Sequence, residues 1–224
     1  MMTLTASLKR SITEDWKSCF ESLGVYKPMW LGRRVGPFFQ GVCLERSSGG
    51  TSYIPTSHLH CLCRDFPVVS LTLGQRLLSP RSGSEERILV QFHGAHFEDA
   101  ARRLRAASLL PLDRPWGLRD LISAVQMYQT LGRPDSRYPI FPFEDVVMAA
   151  VWLGERDRAK SAIAEYQETI AGWPENVTAR FGGNVAWTSK LWELIDNPKA
   201  LRDSADANAE RLKIPNLPRI EMLA

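Results

Sequence analysis

The sequence predicts an α+β protein, with a small antiparallel sheet in its N-terminal half and helical hairpins in its C-terminal half. Between about 38 and 92, β-branched and aromatic stretches such as Phe38-Phe39-Gln40-Gly41-Val42-Cys43-Leu44-Glu45 alternate with glycine and proline. After 96 the apolar period changes from two to 3.6. Phe143, Val146, Val147 and Ala150 follow i, i+3, i+4, i+7, and the stripe restarts at Ala159, Ala162, Ile163, Tyr166 and Ile170. Gly154 lies between the two stripes, suited to the left-handed dihedrals of a helix end. The stretch Phe141 to Trp173 is therefore an αα-hairpin.

The elements follow in order. Thr5 to Leu23 reads as an opening helix, with Leu8, Ile12, Trp16, Phe20 and Leu23 in one stripe and Gly24 as its stop. Thr13-Glu14-Asp15 interrupts its first turn, so Ser11 or Thr13 is the expected cap. Phe38 to Glu45 is a strand, Ser47-Ser48-Gly49-Gly50 its turn, and Thr51 to Cys63 the returning strand, with Pro55 marking an edge or bulge. Phe66 to Leu73 and Arg87 to Phe92 complete the sheet, and Gln75 to Glu86 is a polar loop. His96 to Leu109 is a helix ended by Pro111 and Pro115. Leu118 to Leu131 is another, closed by Gly132-Arg133-Pro134-Asp135. Beyond the central hairpin, Val185 to Ile195 and Pro198 to Leu212 form a last pair, with Pro198 at a first helical position. Two regions are expected, 1–112 and 113–224, packed as one unit.

The 224 residues suffice for a real core, and 44% apolar with 24% charged residues excludes a disordered chain. A net charge of +3 argues against a nucleic-acid partner. Residues 1–112 carry 14 basic and 9 acidic residues, a net +5, and residues 113–224 carry 14 and 16, a net −2. This split reads first as two ordinary solvated surfaces, and second as a dipole that steers approach to a charged partner. Four cysteines, Cys19, Cys43, Cys61 and Cys63, make no disulfide framework at this length. With no signal-peptide core and no apolar run of ~20 residues, the expectation is a cytoplasmic protein away from membranes.

The ligand-rich run His58-Leu59-His60-Cys61-Leu62-Cys63 lies on a strand, where side chains alternate faces. His58 and His60 then point one way, to solvent, and Cys61 and Cys63 the other, so no tetrahedral metal site forms. His93-Gly94-Ala95-His96-Phe97-Glu98-Asp99 offers a histidine near carboxylates at a strand-to-helix corner. Glu98 and Asp99 are better placed to complement the dipole of a first helical turn. Phosphate-loop, nucleophile-elbow, dinucleotide and zinc-protease motifs are absent from the sequence. Arg102-Arg103-x-Arg105 is too narrow for a nucleic-acid face. No catalytic residue, metal or cofactor is expected. Aromatic residues do gather at the helix breaks, and Tyr138, Phe141, Trp173, Glu175, Arg180 and Phe181 are the candidate partner-binding residues.

The central hairpin resembles a tetratricopeptide unit, with Gly154 five residues before Ala159, Ile163 four further on, and Pro174 where a next unit would begin. The overall layout, with the segments LGVYKPMWLGRRVGPFF and FPFEDVVMAAVWLGERDRAKSAIAEY, resembles the compact cytoplasmic immunity proteins that bacteria encode beside polymorphic toxins. That resemblance implies a non-catalytic protein that binds a cognate toxin and occludes its active site or substrate entry. The acidic residues Glu144, Asp145, Glu155, Asp157, Glu165, Glu168 and Glu175 would then suit a basic toxin domain such as a nuclease. The alternative is a helical adaptor that binds a peptide or a larger assembly.

Overall fold

The computed structural model describes residues 2–133 and 136–224. Helix α1 (Ala6–Cys19) is capped by Thr5 and not by Ser11 or Thr13, since the Thr5 hydroxyl accepts the Leu8 N–H at 3.2 Å and the helix runs unbroken through both later residues. Five strands follow as an antiparallel meander in spatial order: β1 (Gly24–Lys27), β2 (Trp30–Val35), β3 (Phe38–Arg46), β4 (Ser52–Cys61) and β5 (Thr72–Arg76). A short β6 (Ile88–Leu89) pairs with β4, and β7 (Arg219–Ile220) lies parallel to β2. The β3–β4 turn closes with the Gly50 N–H on the Ser47 carbonyl at 3.0 Å. Gly32 of β2 is required by its neighbour, since a Cβ there would come 2.1 Å from the Phe39 ring. The remainder is helical: α2 (His93–Ala107), α3 (Leu118–Gln129), α4 (Ile140–Leu153), α5 (Arg156–Ala171), α6 (Glu175–Thr178), α7 (Gly183–Asp196) and α8 (Pro198–Arg211).

The register of β3 on β4 sets Phe38 opposite Cys61 and Gln40 opposite Leu59 on one face, and Phe39 opposite His60 and Gly41 opposite His58 on the other. The first face is covered twice. Val42, Leu44 and Tyr53 pack with Ile12 and Trp16 of α1 and Ala100 and Leu104 of α2. Phe38, Leu59 and Cys61 pack with Trp116 and with Val147 and Met148 of α4. The second face is covered where Phe39 and Leu62 meet Ala205 and Ala209 of α8. The central hairpin forms as its stripes require. Ala159, Ala162, Ile163, Tyr166 and Ile170 are buried, and Gly154 ends α4 at φ +80°.

The structure corrects the expected layout in several places. Strands are not confined to 38–92, because β1 and β2 precede that range and β7 follows it. The Trp30–Val35 stretch hides its strand character behind Arg33 and Arg34, both buried. Phe66 to Leu73 is largely irregular and yields its strand only from Thr72. Arg87 to Phe92 keeps two strand residues and turns as a 3₁₀ segment into α2, which begins at His93 rather than His96. Pro55 sits mid-strand opposite Leu44. Leu44 sends its N–H to Met29 in the other direction, so this pair exchanges no hydrogen bond through proline's missing donor. Part of the expected turn, Pro134-Asp135, lies outside the described residues.

Candidate partner-binding surface

The aromatic residues at the helix breaks form a connected set centred on Trp173. Its indole stacks on Phe143 at 5.8 Å and meets Tyr138 edge-on at 5.3 Å and Phe181 at 6.2 Å. Phe143 in turn stacks on Tyr166 at 4.0 Å. The stack joins the start of α4, the end of α5 and the turn after α6. Phe143 and Tyr166 are buried, whereas Tyr138, Trp173 and Phe181 are half-buried. Glu175 and Arg180 are exposed beside them in the chain.

Phe141 stands apart from Trp173. Its ring is edge-on to Phe66 at 5.5 Å, lies 5.1 Å from the Arg64 guanidinium, and remains 43% exposed. With Tyr138, Ser70 and Leu71 it lines an open cleft of about 380 Å³. Tyr138 is thus the one candidate that belongs to both places.

Two further surface residues escaped the sequence reading. Val185 is 77% exposed and Trp192 39% exposed on α7. Their spacing of seven puts them on one helix face, away from the buried stripe of Trp187, Leu191 and Ile195. The signal was a second apolar stripe on a helix whose first stripe already accounted for its packing.

The acidic residues expected on this surface divide. Asp157, Glu165, Glu168 and Glu175 are exposed and Glu155 is half-buried. Glu144 and Asp145 are not on the surface. Arg64, itself buried, donates to Glu144 Oε2 at 2.8 Å and to the Phe141 carbonyl at 2.6 Å, and pairs with Asp145 Oδ1 at 2.7 Å. Burial raises the Asp145 carboxyl to about 6 against the pull of Arg64. The two carboxylates serve the sheet-to-helix junction and are unavailable to a partner.

The histidine corner is built differently from the expected one: α2 begins at His93, so Glu98 and Asp99 lie in its second turn and not in its first. His93 does not pair with Glu98 or Asp99. Asp99 is held by Arg102 and by Arg103 Nε at 2.7 Å. His93 Nδ1 faces the Tyr53 hydroxyl at 2.7 Å and its Nε2 faces Asp15 at 2.9 Å. Trp16 donates to the same hydroxyl at 3.1 Å. With the proton on Nε2 every donor has an acceptor: Trp16 to Tyr53, Tyr53 to His93, His93 to Asp15. A Tyr-His-Asp chain is a proton-relay geometry, but Tyr53 is fully buried and burial pushes its hydroxyl pKa up. The chain braces α1, β4 and α2 together.

The strand histidines also depart from expectation. His58 and His60 are buried, because the face they occupy is itself covered. His58 lies between Trp30 and Phe39 at 5.3 and 5.5 Å, and burial lowers it to about 3. His60 accepts the Ser70 N–H at 2.9 Å and is lowered to about 4, again by burial first. Cys43 and Cys61 are buried free thiols, and Cys19 and Cys63 are free and half-buried. Among the described residues no three His, Cys, Asp or Glu side chains converge as a metal site. No described helix is long and apolar enough to cross a membrane. No protein-family model, curated protein or solved structure matches the chain.

Proposed function

We propose that this chain acts by binding another protein and has no turnover of its own, and that it is an immunity protein that occludes the active site or substrate entry of a cognate toxin. The observation that carries this reading is the half-buried aromatic cluster of Tyr138, Trp173 and Phe181, with the exposed apolar residues Val185 and Trp192 following on α7. Half-buried aromatic rings on a rigid helical scaffold are the anchors that carry most of the energy of protein interfaces. A standard interface covers about 800 Å² on each partner. Exposed Glu175 and Arg180 supply the polar rim of such a patch.

The cleft beside Phe141 favours a second reading, a helical adaptor that takes a peptide between Tyr138 and Leu71. The two readings share Tyr138 and differ in their other residues. The test is retention of a protein by the tagged chain when the products of adjacent genes are co-expressed, repeated with Phe181→Ala, Val185→Asp and Trp192→Asp. The toxin-binding reading expects one stoichiometric partner, lost in these folded variants, and relief of that partner's toxicity by the parent only. Binding that survives all three variants but is lost in Phe141→Ala transfers the function to the cleft. No retained protein at all overturns both readings.

A further inference from the structure

Arg102-Arg103-x-Arg105 is narrow in sequence, but two of its residues, Arg102 and Arg105, form one wall of a wider basic site in the fold. Arg102 and Arg105 of α2 join Arg114 and Arg119 around an open cleft of about 730 Å³ between the end of α2 and the start of α3. Leu109 and Met127 supply an apolar lining, and Met127 is 57% exposed. Two carboxylates also reach the cleft. Asp120 is committed to the start of α3, accepting the Gly117 N–H at 3.0 Å and Arg114 at 3.3 Å. Asp113 is exposed and makes no ion pair among the described residues. Arg102 is shared with Asp99. Arg105 donates to the Cys19 carbonyl and lies 5.2 Å from the Phe20 ring, with no carboxylate partner among the described residues. Arg119 has neither an ion pair nor a hydrogen bond among the described residues.

A second observation stands behind the wall of the cleft. Arg33 is fully buried and pairs with no carboxylate among the described residues. Its Nη2 donates to the carbonyls of Pro111 and Arg114, both at 2.8 Å, and to Gln40 Oε1 at 2.9 Å. Its Nη1 has no partner. Pro111 and Arg114 line the cleft, so a buried cation held only by neutral acceptors sits directly beneath the residues that face solvent there. Burial pulls the guanidinium down to about 10, with Asp113 alone opposing. A buried charge without a counter-charge is costly, and an anion in the cleft would offset it.

We propose that this cleft binds a phosphate-bearing small molecule of the di- or triphosphate class, with Arg102, Arg105 and Arg119 on the phosphates and Leu109 and Met127 against an apolar body. Guanidinium forks match phosphate oxygens bidentately, and several forks in one concave site call for a ligand whose charges lie on adjacent groups. An acidic peptide spreads its charges one per residue. The volume falls within the range of small-molecule sites. The site lies apart from the aromatic surface and does not depend on its role.

The test is calorimetric titration of the full chain with inorganic tripolyphosphate and with adenosine triphosphate. Saturable one-to-one binding is expected, weakened at least about tenfold by Arg119→Glu and by Arg102→Glu. Arg158→Glu, the same charge change at an exposed position of α5, should leave it unaltered. Circular dichroism checks that each variant is folded. Tighter binding of the nucleotide supports the apolar lining as a base site, and equal binding supports recognition of the phosphates alone. If Arg158→Glu weakens binding as much as Arg119→Glu, the effect is one of net charge and the site is refuted. A polyglutamate peptide that binds more tightly than either phosphate refutes the ligand class, and absence of binding refutes the proposal.

Discussion

Replacing Arg64 by methionine removes the centre of the buried ionic junction between the sheet and α4. The side chains of Arg64, Glu144 and Asp145 are 5%, 5% and 0% exposed. After the substitution, among the described residues, Asp145 has no cation within ion-pair reach and Glu144 keeps Lys190 alone at 3.7 Å. Breaking a buried pair by removing one partner costs about 3–5 kcal/mol, because the remaining charge stays desolvated. For a chain of this size that lowers the melting temperature by roughly 6–20 °C. The loss should depend on pH, with a definite sign. The folded-state pKa of Asp145 is already raised, to about 6 from 3.8, so the folded chain holds a proton that the unfolded chain releases between those values. Stability contributed by such a group is present at low pH and falls as pH rises through that window. Arg64 is the main influence holding this carboxyl down. Without it the pKa climbs further and the window extends upward, so the destabilisation should be smaller at pH 5 than at pH 8, by at most about 1.4 kcal/mol per pH unit for one proton. Urea unfolding at pH 5, 6.5 and 8 measures this, and Arg64→Met with Asp145→Asn should recover a large part of the loss. A difference between parent and Arg64→Met below about 1 kcal/mol, or one equal at all three pH values, would refute the reasoning.

Two further predictions test the core and the brace. Ile163→Asp, at a position 1% exposed, buries an unpaired carboxylate between α4 and α5 and should abolish cooperative thermal unfolding. An unchanged melting curve would mean that α5 does not pack as described. Tyr53→Phe leaves the Trp16 N–H without its acceptor and His93 Nδ1 without its donor, and should cost about 1–3 kcal/mol in chemical denaturation with no loss of partner binding. A loss of binding in the folded variant would place this chain of groups in the function and not in the framework.

What could be read from the sequence is what depends on near neighbours in the chain. The stripes of α4 and α5 and the left-handed Gly154 between them were legible, because each requires only residues three or four apart and one glycine. The Ser47–Gly50 turn was legible for the same reason. Of the candidate surface, Tyr138, Trp173 and Phe181 were recognised as aromatic residues at breaks, and they do lie together. Phe141 was grouped with them by proximity in sequence, but the rotation of the first turn of α4 carries it toward Phe66 and Arg64 instead.

The α+β class and the helical hairpin follow from residues close together in the chain, since hydrophobic period is a local property. Which polar groups are buried, and what satisfies them, is set by the packing of distant elements. β2 was hidden because Arg33 finds its acceptors at Pro111 and Arg114, and Arg34 finds Asp206, at the far end of the chain. His58 and His60 were expected in water because nothing near them in sequence announces Phe39 and Ser70 as neighbours. Glu144 and Asp145 look like surface charges on α4 until Arg64 is brought against them. Burying such a group is unfavourable unless a partner arrives with it, and the partner comes from a distant part of the chain. Period can therefore be counted from the sequence, whereas the pairing of buried polar groups follows only once the strands and helices have been set side by side.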